Sequence, residues 1–171
     1  HPVDRRQRQM CIRDRAIKDA ISKKVRCATI LSGGFSEAGS EGNDLEKQVF
    51  KIAQKGNLRI LGPNSIGLIN ITDNVILSAN AMLELQDLKK GSLGVISHSG
   101  SLIGALLAHG HSRGIGFSKL VSVGNESDLS VGEIGKMLVN DSNTESIILF
   151  LETLRNSCLL YTSDAADDQL G

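Results

Sequence analysis

The chain has 171 residues, in which 19 Lys and Arg balance 19 Asp and Glu. Because the net charge is zero and aromatic residues make up only 3%, the composition argues against nucleic-acid binding by a basic surface or by base stacking. No apolar run approaches the roughly 20 residues of a membrane span, and the basic N-terminus lacks the apolar region of a secretory signal. These features predict a cytoplasmic protein that binds neither nucleic acid nor membrane.

The two ends of the chain differ in character from the rest. Residues 5–15 show neither helical nor strand periodicity, and residues 158–168 interrupt an apolar run abruptly. A single oligonucleotide of about thirty bases encodes RRQRQMCIRD on one strand and CLLYTSDAAD on the other, as a sequencing adapter read through at both ends would. We therefore interpret residues 1–15 and 158–171 as adapter-derived flanks, and residues 16–157 as an interior piece of a longer protein.

Strand and helix patterns alternate along residues 16–157. Apolar periodicity and turn residues first predict a helix end, a buried strand that contains Cys27, a helix closed by Gly56, and a second strand. These four elements lie at residues 16–24, 27–32, 43–55 and 58–61. Cys27, the one cysteine within residues 16–157, is expected to be a buried small apolar residue of the first strand.

Residues 71–90 are less regular and are predicted to connect two units. A strand–helix–strand–helix–strand series follows at residues 92–97, 99–111, 117–123, 131–140 and 146–151. Such alternation predicts an α/β fold with a parallel sheet, and this series is half of a doubly wound domain.

Three loops at predicted strand ends carry small and polar residues. The first loop is SGGFSE at residues 32–37, the second is GPNSIG at residues 62–67, and the third is SHSGS at residues 97–101. Ligands of open parallel sheets bind at the carboxyl ends of the strands. Paired glycines in the first loop allow close backbone approach, and Asn64 and Ser65 give the second a polar rim. On spacing and composition alone, ordinary turns are the favoured interpretation of both loops.

The third loop immediately precedes a predicted helix. Unpaired backbone N–H groups and the positive pole of the helix dipole make such a position suitable for an anion, particularly phosphate. Plain N-capping by serine explains the same residues without a ligand. From the residues alone, both interpretations stand.

Taken in order, the loops resemble one family. The run LSGGFSEAGSEG…LRILGPNSIGLIN is similar to the second half of the CoA-binding Rossmann-like domain of NDP-forming acyl-CoA synthetases, which carry G-F-S-E-x-G and G-P-N-[CS]-x-G. The run GSLGVISHSGS…SIILFLETLR resembles the first half of their flavodoxin-like domain, with S-[QR]-S-G, G-I-G-F and S-x-G-N-x-x-D. The resemblance covers residues 16–155 and is strongest to the acetate–CoA ligases of the succinyl-CoA synthetase α-subunit superfamily.

The resemblance implies a domain organisation and an activity. Residues 16–70 would be the C-terminal half of the Rossmann-like domain, residues 71–91 a connecting segment, and residues 92–157 the N-terminal half of the flavodoxin-like domain. The parent would be an acid–thiol ligase that makes acyl-CoA from a carboxylic acid, coenzyme A and a nucleoside triphosphate, through acyl phosphate and phosphohistidine intermediates. ATP and Mg²⁺ would bind outside this chain, on an ATP-grasp domain or subunit of an oligomer, so the piece alone is expected to be inactive.

The resemblance also assigns roles to individual residues. Phosphate binding would fall to Ser99, Gly100 and Ser101, orientation of the catalytic histidine to Glu152, and the CoA site to Gly33, Gly34, Asn64 and Ser65, with no metal ligand. The alternative interpretation of Glu152 is a surface acid at a strand end. His98 stands where the family usually carries Gln or Arg, and it is not expected to be the phosphoacceptor, which in the family lies in a later Gly-His-Gly segment.

Two other functions remain open at this point. Some protein-lysine acetyltransferases carry a synthetase-like, CoA-binding regulatory module, and this chain is a candidate for one. A free-standing CoA-binding protein is the third class, although the flavodoxin-like half argues against it.

Overall fold

The computed structural model of the chain describes residues 14–80 and 88–153. The predicted flanks lie outside these ranges except for residues 14 and 15, and part of the predicted connecting segment, residues 81–87, lies outside them as well. Helix α1 covers residues 14–22, so it crosses the predicted boundary of the first flank. No helix in the described part has the length and apolar composition that a membrane crossing requires.

The first unit consists of two parallel strands and the helices that pack on them. Strand β1 (Cys27–Thr29) pairs in parallel with β2 (Arg59–Leu61), and α2 (Ser40–Lys55) joins them after a 3-10 turn at Ser36–Ala38. The helix places its apolar residues on one side, against α1 and the two strands. The buried members of this core are Ile17, Phe35, Leu45, Val49, Ala53, Leu58 and Ile60. Cys27 is exposed, so the expectation that it is buried was wrong.

The second unit is a five-stranded sheet with the order β4-β3-β6-β5-β7. Strands β5 (Lys90–Ser97), β6 (Phe117–Ser122) and β7 (Ser146–Phe150) are parallel. Helix α3 (Gly100–Ser112) connects β5 to β6, and α4 (Val131–Val139) connects β6 to β7. This arrangement confirms the α/β fold with a parallel sheet that the alternating pattern predicted.

An antiparallel hairpin extends this sheet at one edge. Its strands are β3 (Gly67–Asn70) and β4 (Val75–Ser78), and β3 also pairs antiparallel with β6. No strand was predicted within residues 71–90, so β4 corrects the expectation for this segment. The hairpin consists of two short apolar runs separated by Thr72-Asp73-Asn74, and Asn74 has a φ of 57°. This sequence of polar turn residues between two apolar runs was the signal for a hairpin that was missed.

The two units are joined by the segment between β6 and α4, residues 123–130, which we call the bridging loop. It runs beside β2 and the second loop: the Leu129 N–H donates to the Ile60 carbonyl at 3.1 Å, and the Asn125 N–H donates to the Pro63 carbonyl at 2.9 Å. Arg59 of β2 also forms ion pairs with Asp128 at 3.0 Å and with Glu133 at 2.8 Å. The bridging loop therefore gathers the carboxyl ends of the strands of both units in one region.

Candidate functional site

The third loop ends at the N-terminus of α3. Ser99 is the N-cap residue, and its Oγ accepts a hydrogen bond from the Leu102 N–H at 3.4 Å and lies 3.0 Å from the Ser101 Oγ. The first turn of α3 contains no acidic residue, so its positive pole is not neutralised from within the helix. Ser101 is exposed, while Ser99 and Gly100 are half-buried. The predicted phosphate residues thus form one accessible helix start.

Gly100 has a packing role beside its predicted one. A side chain at this position would overlap Ile66 of the second loop. The absence of a Cβ therefore lets α3 approach the second loop closely, whether or not a ligand binds there.

His98, in the middle of the third loop, connects three segments. Its Nε2 lies 2.9 Å from Oε2 of Glu126, in the bridging loop, and its Nδ1 accepts the Glu152 N–H at 2.9 Å. The other Glu126 oxygen, Oε1, accepts the Val131 N–H at 2.6 Å, at the start of α4. The side chains of His98 and Glu126 are only 6% and 3% exposed. Both ring nitrogens therefore have partners inside the protein.

Glu152 follows β7 by two residues and is exposed. Through the main-chain contact with His98 it lies beside the third loop, because β5 and β7 are adjacent parallel strands. The structure thus brings the predicted histidine-orienting carboxylate and the predicted phosphate residues to neighbouring strand ends.

The first loop is organised by a carboxylate of its own. Oε1 of Glu37 accepts the N–H groups of Gly34 and Phe35, the latter at 3.1 Å. Gly34 has a φ of 87°, a left-handed conformation that glycine adopts without strain. Gly33 lies close to Glu37 and Asn64, so the two glycines and the second loop share one surface.

Ser65 and Asn64, in the second loop, have different environments. Ser65 is buried, and its hydroxyl donates to the Ser122 carbonyl at 2.6 Å and accepts the Gly67 N–H at 2.8 Å. This pairing gives Ser65 a structural role, and its contact with CoA stays a prediction. Asn64 is exposed, with a φ of 55°, and its Nδ2 donates to the Asn125 Oδ1 at 3.3 Å.

Asn125 holds the first loop against the bridging loop. Its Nδ2 donates to Glu37 Oε2 at 2.5 Å, to Glu46 Oε2 at 3.0 Å and to Ser36 Oγ at 3.1 Å. Although partial burial raises the pKa of Glu37 and of Glu46, hydrogen bonds from Asn125 and from main-chain and serine groups outweigh it, so both pKa values lie below their ordinary value. Both carboxylates are therefore ionised at neutral pH.

Asn125, Glu126 and Glu37 were not predicted to be site residues. All three lie in the motifs S-x-G-N-x-x-D and G-F-S-E-x-G, so the motifs located them and only the fold revealed their contacts. Within residues 14–80 and 88–153, no group of three His, Cys, Asp or Glu side chains is arranged to hold a metal ion.

Comparisons with known proteins point to one family. Residues 90–163 match the family described as the succinyl-CoA ligase like flavodoxin domain. The chain is 33% identical to a 4-hydroxybutyrate–CoA ligase [ADP-forming] of Nitrosopumilus maritimus, over 81% of this chain and 20% of that protein. It is 35% identical to the alpha subunit of acetate–CoA ligase [ADP-forming] II of Pyrococcus furiosus, over 78% of this chain and 28% of that subunit.

A solved structure agrees with these similarities. The apo form of the dinucleotide forming acetyl-coenzyme A synthetase 1 of Ca. Korarchaeum cryptofilum superposes with a TM-score of 0.77 at 29% identity, covering 85% of this chain and 30% of that one. The chain thus spans between a fifth and a third of the length of these relatives. Sequence motifs, strand order and these similarities agree, and the chain belongs to the superfamily of NDP-forming acyl-CoA synthetases.

Proposed function

We propose that this chain is an interior piece of an acyl-CoA synthetase that makes acyl-CoA from a carboxylic acid, coenzyme A and a nucleoside triphosphate. Acyl phosphate and phosphohistidine would be the intermediates, and ATP and Mg²⁺ would bind outside this chain. Residues 16–70 would contain the second half of a CoA-binding Rossmann-like domain, residues 71–91 a connector, and residues 92–157 the first half of the flavodoxin-like domain. The β3–β4 hairpin belongs to the second sheet and spans the first of these boundaries. The cytoplasm, where coenzyme A and ATP are abundant, is the proposed location.

The observation that carries this proposal is the juxtaposition of the third loop with Glu152. A helix start suited to phosphate, formed by Ser99, Gly100 and Ser101, lies next to the strand end from which Glu152 emerges. A phosphorylated imidazole placed here would have its phosphoryl group against the N–H groups of α3. The Glu152 carboxylate would hold the ring in one tautomer and stabilise its cationic form.

The first and second loops support the CoA part of the proposal. Gly33, Gly34 and Asn64 share an accessible surface, and Asn125 ties that surface to the loop that also contacts His98 through Glu126. A CoA thiol bound along the first unit would thereby reach the strand ends of the second unit, where acyl phosphate would be attacked. Ser65 would contribute by holding the second loop in place.

The experiment requires the longer protein that contains this chain, expressed with its ATP-grasp partner. We expect Glu152→Gln to reduce the rate of histidine phosphorylation by about a hundredfold, because the imidazole loses a charged partner worth a few kcal/mol. The measurement is the incorporation of label from γ-phosphate-labelled nucleotide, quenched in alkali, which preserves phosphohistidine.

Glu145→Gln is the matched control. Glu145 directly precedes the other end of β7 and accepts the Ser92 hydroxyl at 2.8 Å, a bond that glutamine can also accept. The rate of histidine phosphorylation in the Glu145→Gln protein should equal that of the wild type. Equal rates for both variants would remove the catalytic assignment of Glu152. His98→Gln should still become phosphorylated, because His98 is not the proposed acceptor.

The regulatory alternative, a synthetase-like module of a protein-lysine acetyltransferase, has no comparable observation behind it. The relatives and the structure named above are ligases or synthetases, so they give that alternative no support. The alpha-subunit name of the Pyrococcus furiosus relative favours a parent that works with a second subunit.

A further inference from the structure

We propose that His98 is a positioning residue that holds the main chain at Glu152 through its ring Nδ1, with Glu126 fixing the ring from its other side. That His98 holds the main chain at Glu152 is inferred from the hydrogen bonds of its ring. That this contact matters for histidine phosphorylation rests on the proposed role of Glu152.

The hydrogen-bond ladder between β5 and β7 ends in an unusual way. The strands are in parallel register up to Ser97 and Phe150, and the His98 N–H continues the ladder by donating to the Phe150 carbonyl at 3.1 Å. In a regular parallel ladder the next bond would run from the Glu152 N–H to the His98 carbonyl oxygen. Here it runs instead to the His98 ring, at 2.9 Å. A side chain thus sets the main-chain path at the point where Glu152 leaves the sheet.

These contacts select one tautomer of the ring. An amide N–H can only donate, so Nδ1 must be unprotonated, and Nε2 carries the proton of the neutral ring and donates it to Glu126. Glu126 is held in turn by the Val131 N–H. Rotating the ring by half a turn about the Cβ–Cγ bond would replace both nitrogens with carbons, so it would break both bonds. The contacts therefore fix the orientation of the ring and select the tautomer with its proton on Nε2.

The same geometry separates histidine from other residues at this position. The Nδ1 of histidine is bonded to Cγ, as is the side-chain oxygen of asparagine, whereas the amide of glutamine lies one carbon further out, near the place of Nε2. Glutamine can therefore keep the contact with Glu126 but has no acceptor for the Glu152 N–H. Asparagine can keep the contact with Glu152 and loses the one with Glu126. The two variants therefore remove the hydrogen bond to the Glu152 N–H and the hydrogen bond to Glu126 separately.

The test uses the whole chain labelled with ¹⁵N. At about pH 8, where an ordinary imidazole is neutral, we expect a scalar coupling across the hydrogen bond between the Glu152 amide nitrogen and His98 Nδ1. In His98→Gln, the Glu152 amide should exchange with solvent about tenfold faster, the effect of losing one hydrogen bond. In His98→Asn its rate should stay near that of the wild type. The amide of Val123, which donates to the Ser97 carbonyl at 3.0 Å and is not altered by either substitution, is the internal reference for all three proteins.

Absence of the coupling in the wild-type chain would overturn the proposal. An unchanged ratio of the two exchange rates in His98→Gln would overturn it as well, since global destabilisation alters both amides together. Neither measurement depends on acyl-CoA synthesis. If the coupling is present and the Glu152→Gln protein is phosphorylated on histidine at the wild-type rate, the proposed catalytic role of Glu152 is wrong, while the proposed contacts of His98 stand.

Discussion

Asn125 shows how one uncharged side chain can help to keep two carboxylates ionised. Glu37 and Glu46 come from different elements of the first unit and meet at the same amide group, each through its Oε2. Partial burial of the two carboxylates carries a desolvation cost, which raises their pKa values. Hydrogen bonds from the Asn125 amide and from neighbouring main-chain and serine groups outweigh this cost. The first loop is therefore held in place by ionised acids.

We predict that Asn125→Ala destabilises the chain in a pH-dependent way. The folded-state pKa values of both carboxylates are depressed. Their contribution to folding stability is therefore present above the ordinary carboxylate pKa of about 4.5 and is lost as the pH falls through the folded-state values. At pH 7 the free energy of unfolding should fall by about 1 kcal/mol, the scale of hydrogen bonds to charged groups at a half-exposed site, and the difference should shrink at about pH 3.

Urea unfolding followed by far-ultraviolet circular dichroism measures this difference, since the chain contains no Trp to follow by fluorescence. Asn43→Ala, at an exposed position of α2, is the control and should show a difference that does not vary with pH. A constant effect of Asn125→Ala between pH 3 and 7 would contradict the assigned charges.

At the scale of elements, α3 and α4 begin in contrasting ways. Helix α4 starts with a capping box, in which the Ser130 Oγ accepts the Glu133 N–H at 3.2 Å and Glu133 accepts the Ser130 N–H at 3.3 Å. Its first N–H group donates to Glu126. Helix α3 has only the long 3.4 Å cap from Ser99 and no acid in its first turn. The start of α4 is already neutralised by carboxylates, whereas that of α3 is suited to an external anion.

We predict that inorganic phosphate shifts the amide resonances of residues 99–102 in the wild-type chain and that Ser101→Asp abolishes these shifts. The aspartate carboxylate would occupy the positive pole of α3 and repel a second anion. Ser101→Asn, which has nearly the same shape without the charge, is the matched control and should respond as the wild type does. The position is better suited to this test than Gly100, where any side chain would also overlap Ile66.

The measurement is a phosphate titration at constant ionic strength, followed in amide correlation spectra. Shifts of equal size in all three proteins would show that phosphate acts non-specifically. They would remove the phosphate assignment of Ser99, Gly100 and Ser101.

At the scale of the whole molecule, the described part contains two sheets of unequal completeness. The first has two strands, and the second ends at β7, where Leu149 and Phe150 are 40% and 41% exposed. At its other edge, β4 exposes Val75, Ile76 and Leu77. Exposed apolar residues on edge strands favour pairing with further chain or with other molecules. The proposed place of this chain inside a longer protein accounts for both edges.

We predict that the proposed adapter-derived flanks contribute nothing to stability. Separate removal of residues 1–15 and of residues 158–171 should shift the melting temperature by less than about 2 °C, which corresponds to less than about 1 kcal/mol for a chain of this size. Circular dichroism melts of the two shortened chains and of the full chain measure this. A loss of cooperative melting on removal of either flank would contradict the adapter interpretation for that end, and the family match that continues to residue 163 makes the second end the sharper test.

The sequence alone was sufficient to predict the alternating strands and helices and the position of each loop. Apolar periodicity placed α2, α3, α4 and the three parallel strands of the second sheet within a few residues of their observed ends, because their burial follows directly from that periodicity. The motifs located the first, second and third loops, since small and polar residues interrupt the strands there. They also led to the family through its G-F-S-E-x-G and S-x-G-N-x-x-D patterns.

Only the tertiary structure decided which of these residues touch one another. The hairpin of β3 and β4 joins the second sheet through pairing with β6, a partner about fifty residues away in sequence that no local pattern indicates. In the same way, His98, Glu126 and Glu152 are separated along the chain, and their hydrogen bonds exist only because parallel strands end at one edge of the sheet. Local sequence determines where a strand ends, but the chemistry of a site depends on which strand ends the fold brings together.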